Sequence, residues 1–470
     1  MRVIRVLHFF FTVILLILQM LLGGCSDPIQ RDISRLVEGG EDAEKAKMKL
    51  NLAKGSAILP LIEALHNKEY PSRARADIAE ALYRLYLREA DPKIWEALIG
   101  GLEDQDPTVR AAVVRVLGDL RKRAGTRSLV DLLEHEASDA VRGEILTSLE
   151  VMANTGGAFG AEIQTDKFTA EEKVRLADIL VRLIGEELPR SLRLQALDWL
   201  EILAEEKAVE ARTLMLQAHL QEAEALLLAA RDLIPDSKNI NHTLGRFYYD
   251  NGNLQKGLEI LEERGLLVRV PRLERRPRID GVLDEPGWRG VVPIGEFYQC
   301  IPRMRAYPIE GRSEAYVGYL GDTLYVGIKG YEESTETLVA QTTERDQFSL
   351  SRDDCVEIFL DVDHDYQTYY QLLINSLGTL TDVHWAGSRN FEEIKVWNGR
   401  FDIATDVQDT FWAVEVALPS TEFHNASMSR GDIWGFNIAR VRIPSAEYGQ
   451  WAPTYGSANR PGRFGFLVFE

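Results

Sequence analysis

Four segments of this chain repeat one pattern: an arginine, then small or apolar residues, then a leucine seven positions after the arginine. They run from Arg75 to Leu82, Arg110 to Leu117, Arg142 to Leu149 and Arg193 to Leu200. The first three arginines are 35 and 32 residues apart. The last gap is 51, and its excess falls in a loop-like stretch from Asn154 to Asp166. A unit of this length cannot bury its own apolar face, so copies must stack on one another. From Asp27 to about Gly265 the chain is rich in Ala, Leu, Glu and Arg and poor in Pro, and apolar residues recur at spacings of three and four. That period belongs to amphipathic helices. The expectation is an N-terminal α-solenoid.

The best copy is Asp104 to Leu120 (DQDPTVRAAVVRVLGDL). Asp106 is placed to cap a helix whose first residue is Pro107. This segment resembles the second helix of a HEAT repeat. The resemblance implies that the aspartate and arginine bind neighbouring repeats together, so Arg75, Arg110, Arg142 and Arg193 are expected as ladder residues. Around Glu210 the period changes to 34: Ala211 and Gly245 are 34 apart, and so are Ala223 and Gly257. Small residues at that spacing mark places where two helices approach closely. Ala223 to Pro235 resembles the second helix of a tetratricopeptide repeat, and Leu244, Gly245 and Tyr248 match the first helix of the next. Both kinds of solenoid present a concave face suited to a protein partner. A plain spacer is the other reading of this half.

After Gly265 the composition changes to Tyr, Val, Trp and Gly in short alternating runs. Ala315 to Tyr319 and Leu324 to Lys329 flank a Gly321-Asp322 turn and predict a hairpin. Further strands are expected at Cys355 to Asp361, Tyr369 to Ser376, Phe401 to Val407, Phe411 to Leu418, Trp434 to Val441 and Phe464 to Phe469. Many short strands at this spacing predict an antiparallel β-sandwich. The fold class is therefore multidomain α plus β, an α-solenoid followed by an antiparallel β-sandwich.

A set of motifs in this half carries a resemblance. Ile279-Asp280-Gly281 with Trp288 opens it, and Asp353-Asp354 with Val356-Glu357-Ile358 follows. Tyr369-Tyr370-Gln371, Asn375, Trp412 with Glu415, Trp434-Gly435-Phe436-Asn437, Arg440, Trp451 and Phe464-Gly465 complete the order. From Pro271 to Glu470 the chain resembles carbohydrate-binding module family 9. The resemblance implies a saccharide ligand, with Glu357 and Asn375 aimed at sugar hydroxyls. Family members grip a sugar end between two tryptophans, and those positions hold Ser351 and Ala458 here. A family arginine is replaced by Leu373. Phe348 and Tyr455 are the nearest aromatic stand-ins, and Trp385, Trp397 and Trp451 lie in loop-like contexts that suit ligand contact. Trp288, Trp412 and Trp434 sit in strand-like patterns and are expected in the core. Asp361, Asp363 and Asp365 resemble the start of a calcium loop, but Tyr366 and Leu372 replace the glycine and glutamate an EF-hand needs. A looser calcium site and a plain acidic turn both remain open there.

Arg2 and Arg5 precede an apolar run from Val6 to Leu22, followed by Leu22-Gly23-Gly24-Cys25. This is the layout of a cleaved signal peptide and resembles the bacterial lipobox, which implies a diacylglycerol and palmitate on Cys25. Ser26 in place of a sorting aspartate points to the outer membrane, facing periplasm or cell surface. The chain carries 54 Lys+Arg against 73 Asp+Glu, and such an acidic surface repels nucleic acid and anionic lipid. Export permits a Cys300–Cys355 disulfide; two separately buried thiols are the other reading. No nucleophile elbow, zinc motif or phosphate loop is present, so no catalytic residue and no cofactor are expected. Expected boundaries are 1–24 signal peptide, 25–45 lipidated tether, 46–205 HEAT-like solenoid, 206–268 tetratricopeptide-like repeats and 271–470 sandwich. Two functions fit: a lipid-anchored saccharide-binding protein with a helical stalk or adaptor, and an envelope scaffold whose solenoid binds a protein.

Overall fold

The computed structural model describes residues 27–153, 168–300, 305–386 and 397–470. The signal segment, Cys25 and the whole of the Asn154–Asp166 stretch lie outside the described residues. Among the described residues no helix is long and apolar enough to cross a membrane. The chain divides into two compact units, and the division falls between Trp199 and Leu200.

In the first unit α1 (Pro28–Glu38), α2 (Glu41–Asn51), α3 (Ile58–His66), α5 (Pro92–Gly101), α7 (Arg123–His135) and α9 (Ala170–Ile184) accompany a second set of helices. The arginine-bearing layer contains α4 (Ser72–Glu89), α6 (Pro107–Leu120) and α8 (Asp139–Ala153), and each packs on the next. Asp106 accepts from the Thr108 amide at 2.8 Å with Pro107 at the first helical position, as the sequence requires. Each arginine then reaches out of its own helix. The buried Arg75 pairs with Asp104, 29 residues on. Arg110 grips Glu136 through two bonds of 2.8 and 2.7 Å and also donates to the Asp104 carbonyl. Arg142 donates to the Glu136 carbonyl and pairs with Glu186, while Arg193 donates to the Ile184 and Glu186 carbonyls. The four arginines therefore form the expected ladder. Close packing accompanies it: a Cβ on Gly118 of α6 would lie 2.6 Å from Cβ of Ser148 on α8.

The second unit joins helices to a sandwich. It begins inside α10 (Arg190–Leu216) and continues with α11 (Leu220–Leu233), α12 (Lys238–Asp250) and α13 (Leu254–Glu263). Gly245 and Gly257 meet where α12 and α13 cross, and a Cβ on Gly257 would lie 2.6 Å from the Gly245 carbonyl. Strand β1 (Leu267–Val270) follows α13 directly and pairs in parallel with β12 (Gly465–Phe469). The large sheet runs β1, β12, β10 (Ile433–Arg442), β5 (Cys355–Asp361), β6 (Tyr369–Asn375), β7 (Leu380–Trp385). Strand β11 (Glu447–Gln450) pairs with the second half of β10, and β2 (Tyr298–Gln299) pairs with β11. The smaller sheet is β3 (Ser313–Leu320), β4 (Thr323–Tyr331), β9 (Phe411–Pro419), β8 (Asp402–Gln408), all antiparallel.

Alternation sorts the strands into a core face and an outer face. Val356, Ile358 and Leu360 of β5 and Tyr370, Leu372 and Ile374 of β6 enter one cluster with Val414, Val416 and Trp434. Leu261 of α13 belongs to that same cluster, so the last helices are built into the sandwich core. Several motif residues have structural work. Glu415 is fully buried and accepts from the Asp280 and Gly281 amides and from Trp288 Nε1 at 2.8 Å. Gly281 lies at φ +84°, where a Cβ would meet the Asp406 amide at 2.6 Å. Asp353 and Asp354 are likewise occupied by backbone amides.

Candidate functional site

On the outer face of the large sheet, Cys355, Glu357 and Phe359 lie beside Tyr369, Gln371, Leu373 and Asn375, in the register Glu357 opposite Leu373 and Phe359 opposite Gln371. Trp385, the last residue of β7, stands opposite Tyr369. A chain of hydrogen bonds crosses these strands. Trp385 donates from Nε1 to Gln371 Oε1 at 2.9 Å, and Gln371 donates from Nε2 to Glu357 Oε2 at 2.7 Å. The Tyr448 hydroxyl of β11 is a further partner of Glu357. Burial pushes the Glu357 carboxyl up from its ordinary range, and these two donors pull against that. The Trp385 ring lies nearly parallel to Tyr369, centroids 5.9 Å apart at 18°. Tyr369 in turn meets Phe464 edge-on at 5.6 Å. A half-buried indole is thus locked in orientation by a polar bond at its edge and an aromatic ring behind it.

The sequence candidates are distributed unevenly around this point. Glu357 sits at its centre, facing away from Val356 and Ile358 as the alternation requires, and is 5% exposed. Phe348 lies on a short helix, Phe348–Arg352, whose Leu350 docks on Cys355 and Leu373. That is the opposite end of the face from Trp385, four residues along β6 from Tyr369 to Leu373, about 13 Å. Asn375 is fully buried, and its amide is committed to the fold. Its nitrogen donates to the Thr342 carbonyl and Asp353, and its oxygen accepts from Leu377 and Thr379.

The remaining tryptophans are not gathered here. Trp451 is 3% exposed, packs on Phe436 and sits against Gly465 inside the core. Trp397 packs among Tyr370, Phe401 and Phe423 and donates to the Glu422 carbonyl. Both lie between strands in the sequence, yet the core cluster reaches past the strand ends and takes them in. Tyr455 stacks loosely with Arg463 at 5.9 Å and lies in electrostatic reach of Glu201 and Glu205 on α10, turned to the helices. Cys300 and Cys355 are free thiols. Asp361, Asp363 and Asp365 do converge, with candidate ligand atoms all within 4.8 Å of one another. Hard carboxylate oxygens suit calcium, and burial with the neighbouring aspartates lifts Asp361 to about 7. The same carboxylates already cap the turn, Asp361 accepting from Asp365 and Tyr366 and Asp365 from Gln367 and Thr368.

Gln371, Tyr448 and Tyr369 are site residues that the sequence reading did not place among the ligand contacts, though Tyr369 and Gln371 stand in its motif. The signal for two of them was available: Tyr369, Gln371, Leu373 and Asn375 alternate along β6 and must share the face that carries Glu357. Two of the cavities among the described residues lie elsewhere. One, of about 200 Å³, is in the solenoid between Lys47, Asp77 and Arg115. The other, of about 680 Å³, lies beside Arg276, Arg278 and Phe401.

The architecture defines a class: a helical-repeat protein ending in an antiparallel sandwich with a polar and aromatic outer face. Family models agree. Residues 57–150 match HEAT repeats, and residues 279–451 match the carbohydrate family 9 binding domain-like family. The chain therefore joins HEAT repeats to a family 9-like carbohydrate-binding domain. Among solved structures it is similar to a carbohydrate-binding module family 9 from Caldicellulosiruptor kristjanssonii in complex with cellotriose. Identity is 17% over 43% of this chain and 93% of that one, with TM-score 0.32. A putative carbohydrate-binding protein from Bacteroides uniformis aligns at 16% identity over 43% of this chain and 99% of that one, TM-score 0.34. The complex of CpcE and CpcF of phycocyanin lyase from Nostoc aligns at 18% identity over 36% of this chain and 96% of that one, TM-score 0.27. No curated protein matches the chain.

Proposed function

We propose that this chain is a non-catalytic, lipid-anchored saccharide-binding protein of the bacterial envelope. The sandwich holds the sugar at the Trp385 end of its outer face. The observation that carries this reading is the hydrogen-bonded series Trp385–Gln371–Glu357. It presents an oriented indole beside a carboxylate and an amide, the combination that stacks on a sugar ring and reads its hydroxyls. The family match over residues 279–451 supports the ligand class. Cys25 carries the lipid, and the helical repeats serve as stalk or protein adaptor. A second reading rests on a different observation. Asn375 is spent on the fold and Glu357 is nearly buried, which favours a scaffold whose sandwich has lost sugar binding and whose solenoid takes a protein.

A glycan array probed with the chain lacking residues 1–24, with and without calcium, separates the two. Millimolar or tighter binding to one sugar class supports the first reading. Silence across the array from a folded sample sends the function to the solenoid. A calcium-dependent signal that disappears in Asp363→Asn would assign the metal to the Asp361–Asp365 turn. Incorporation of radiolabelled palmitate that is lost in Cys25→Ser tests the anchor.

A further inference from the structure

The outer face of the large sheet is not open across its whole width. Residues 452–464 leave β11, cross β10 and return to β12. Asn437 binds both the amide and the carbonyl of Ala452 at 2.9 Å. Ala458 and Phe464 then pack on Phe359, Tyr369 and Ala439. Cys300 lies between this segment and the sheet: its thiol donates to the Gly456 carbonyl, and its amide to the Tyr448 carbonyl at 2.7 Å. Helix α12 holds the segment from the other side. His242 donates from Nε2 to the Phe464 carbonyl at 2.9 Å, and Arg246 to the Gly462 carbonyl at 2.6 Å. Arg463 donates to Asn239 at 2.7 Å and to Thr243 at 3.3 Å.

Two features set this segment apart from the sheet beneath it. Tyr455 occupies the left-handed region at φ +57° and Gly456 follows at φ +147°, a conformation a side chain rarely tolerates. At the same seam Arg246 Nε, Arg212 Nη1 and Glu201 Oε2 are buried without a hydrogen-bond partner among the described residues. Buried polar atoms left unpaired weaken the closed arrangement relative to one that meets water. The cover is therefore held by strained backbone and incompletely matched charge, while the strands below it are joined by continuous backbone ladders.

We propose that residues 452–464 form a strap which α12 holds closed over the Glu357 side of the face, and that its release opens that face to a saccharide. This rests on the saccharide reading of the same face. With the strap closed, a sugar meets Trp385 and the edge of Gln371. With it open, Glu357, Phe359 and Tyr369 join the contact surface, and a longer chain can lie across the strands. The helices of the second unit then set the access of the sandwich to its ligand.

Cys300 reports the strap without any ligand. Its thiol is pushed up to about 11 by burial, whereas Cys355, on the same face under Leu350, is wholly buried. The test is timed alkylation of the full chain with iodoacetamide, read at each cysteine by peptide mass spectrometry, in the parent, Arg463→Ala and Arg246→Ala. The proposal expects Cys300 to react at least fivefold faster in both variants while Cys355 stays protected. An unchanged Cys300 rate in both, or a rise only in step with Cys355, would overturn it. Because no glycan takes part, the result is independent of the array. A strap that opens on a protein that binds no sugar would sink the saccharide reading and leave the strap standing.

Discussion

In the solenoid Arg75, Arg110 and Arg142 each meet a carboxylate from further along the repeat array, at the same place in successive copies. At the seam between α12 and residues 452–464, Arg463, Arg246, Arg212, Glu201 and Glu205 belong to no repeat, and three of their buried side-chain atoms find no hydrogen-bond partner among the described residues. The first arrangement follows from spacing along the chain. The second comes from two segments more than 200 residues apart, as in Arg463 with Asn239. Repetition lets a charge be buried and matched by one rule applied several times. A single long-range junction must be matched by chance and selection, and this one is left partly open.

Substitutions on either side test that contrast. The largest effects belong to the cores of the two units. Trp451→Ala should cost about 3–5 kcal/mol in urea unfolding followed by sandwich tryptophan fluorescence; a near-neutral result would return Trp451 to the ligand candidates. Arg110→Ala strands the buried Glu136 and should destabilise the solenoid by about 3–5 kcal/mol. A loss below about 1 kcal/mol, the range of exposed pairs, would mean that the ladder is decoration.

The seam should show itself through pH. Burial, with Glu205 nearby, lifts Glu201 to about 7 from 4.5, so the folded chain keeps a proton that the unfolded chain has released. Its contribution is therefore complete below pH 4.5 and is lost as pH rises to 7. His242 acts in the opposite sense: burial and two arginines hold it at about 3 against 6.5, and its contribution is lost as pH falls through that window. Glu201→Gln removes the first arm alone. The variant should gain on the parent as pH rises from 5 to 8, by up to about 3 kcal/mol. A parent–variant difference that does not change with pH would remove Glu201 from the account.

The smallest stability effect is expected at the site. Trp385→Ala should move the unfolding midpoint little, within about 1 kcal/mol for a half-buried edge residue. Its effect belongs on binding, where a lost stacking ring of about 1.5 kcal/mol is tenfold in affinity.

The same contrast explains what could be read from the sequence. Ladder arginines, the Asp106 cap and the strands of β5, β6, β9 and β10 follow from local periods of 3.6 and 2, and they stand where the spacing put them. Glu357 was legible because it interrupts an apolar alternation. Strand β7 was not, since Leu380-Thr-Asp-Val-His-Trp385 breaks alternation with a buried Asp382 that binds Arg345 and the Gly399 amide. Losing β7 placed Trp385 in a loop and hid its register with Tyr369. Trp451 and Trp397 were misplaced for the converse reason. They lie outside strands, and only the folded packing shows that the core extends to them. The helical cover on the sandwich left no local trace, because neither α12 nor residues 452–464 reveals its partner by spacing.

The central claim is that a saccharide stacks on Trp385 beside Gln371 and Glu357. The most direct test is calorimetric titration of the chain lacking residues 1–24 with the best glycan from the array, in the parent, Trp385→Ala and Trp397→Ala. The account predicts at least a tenfold loss of affinity in Trp385→Ala and unchanged affinity in a folded Trp397→Ala. Equal affinity in the parent and Trp385→Ala would contradict it and move the ligand off this face.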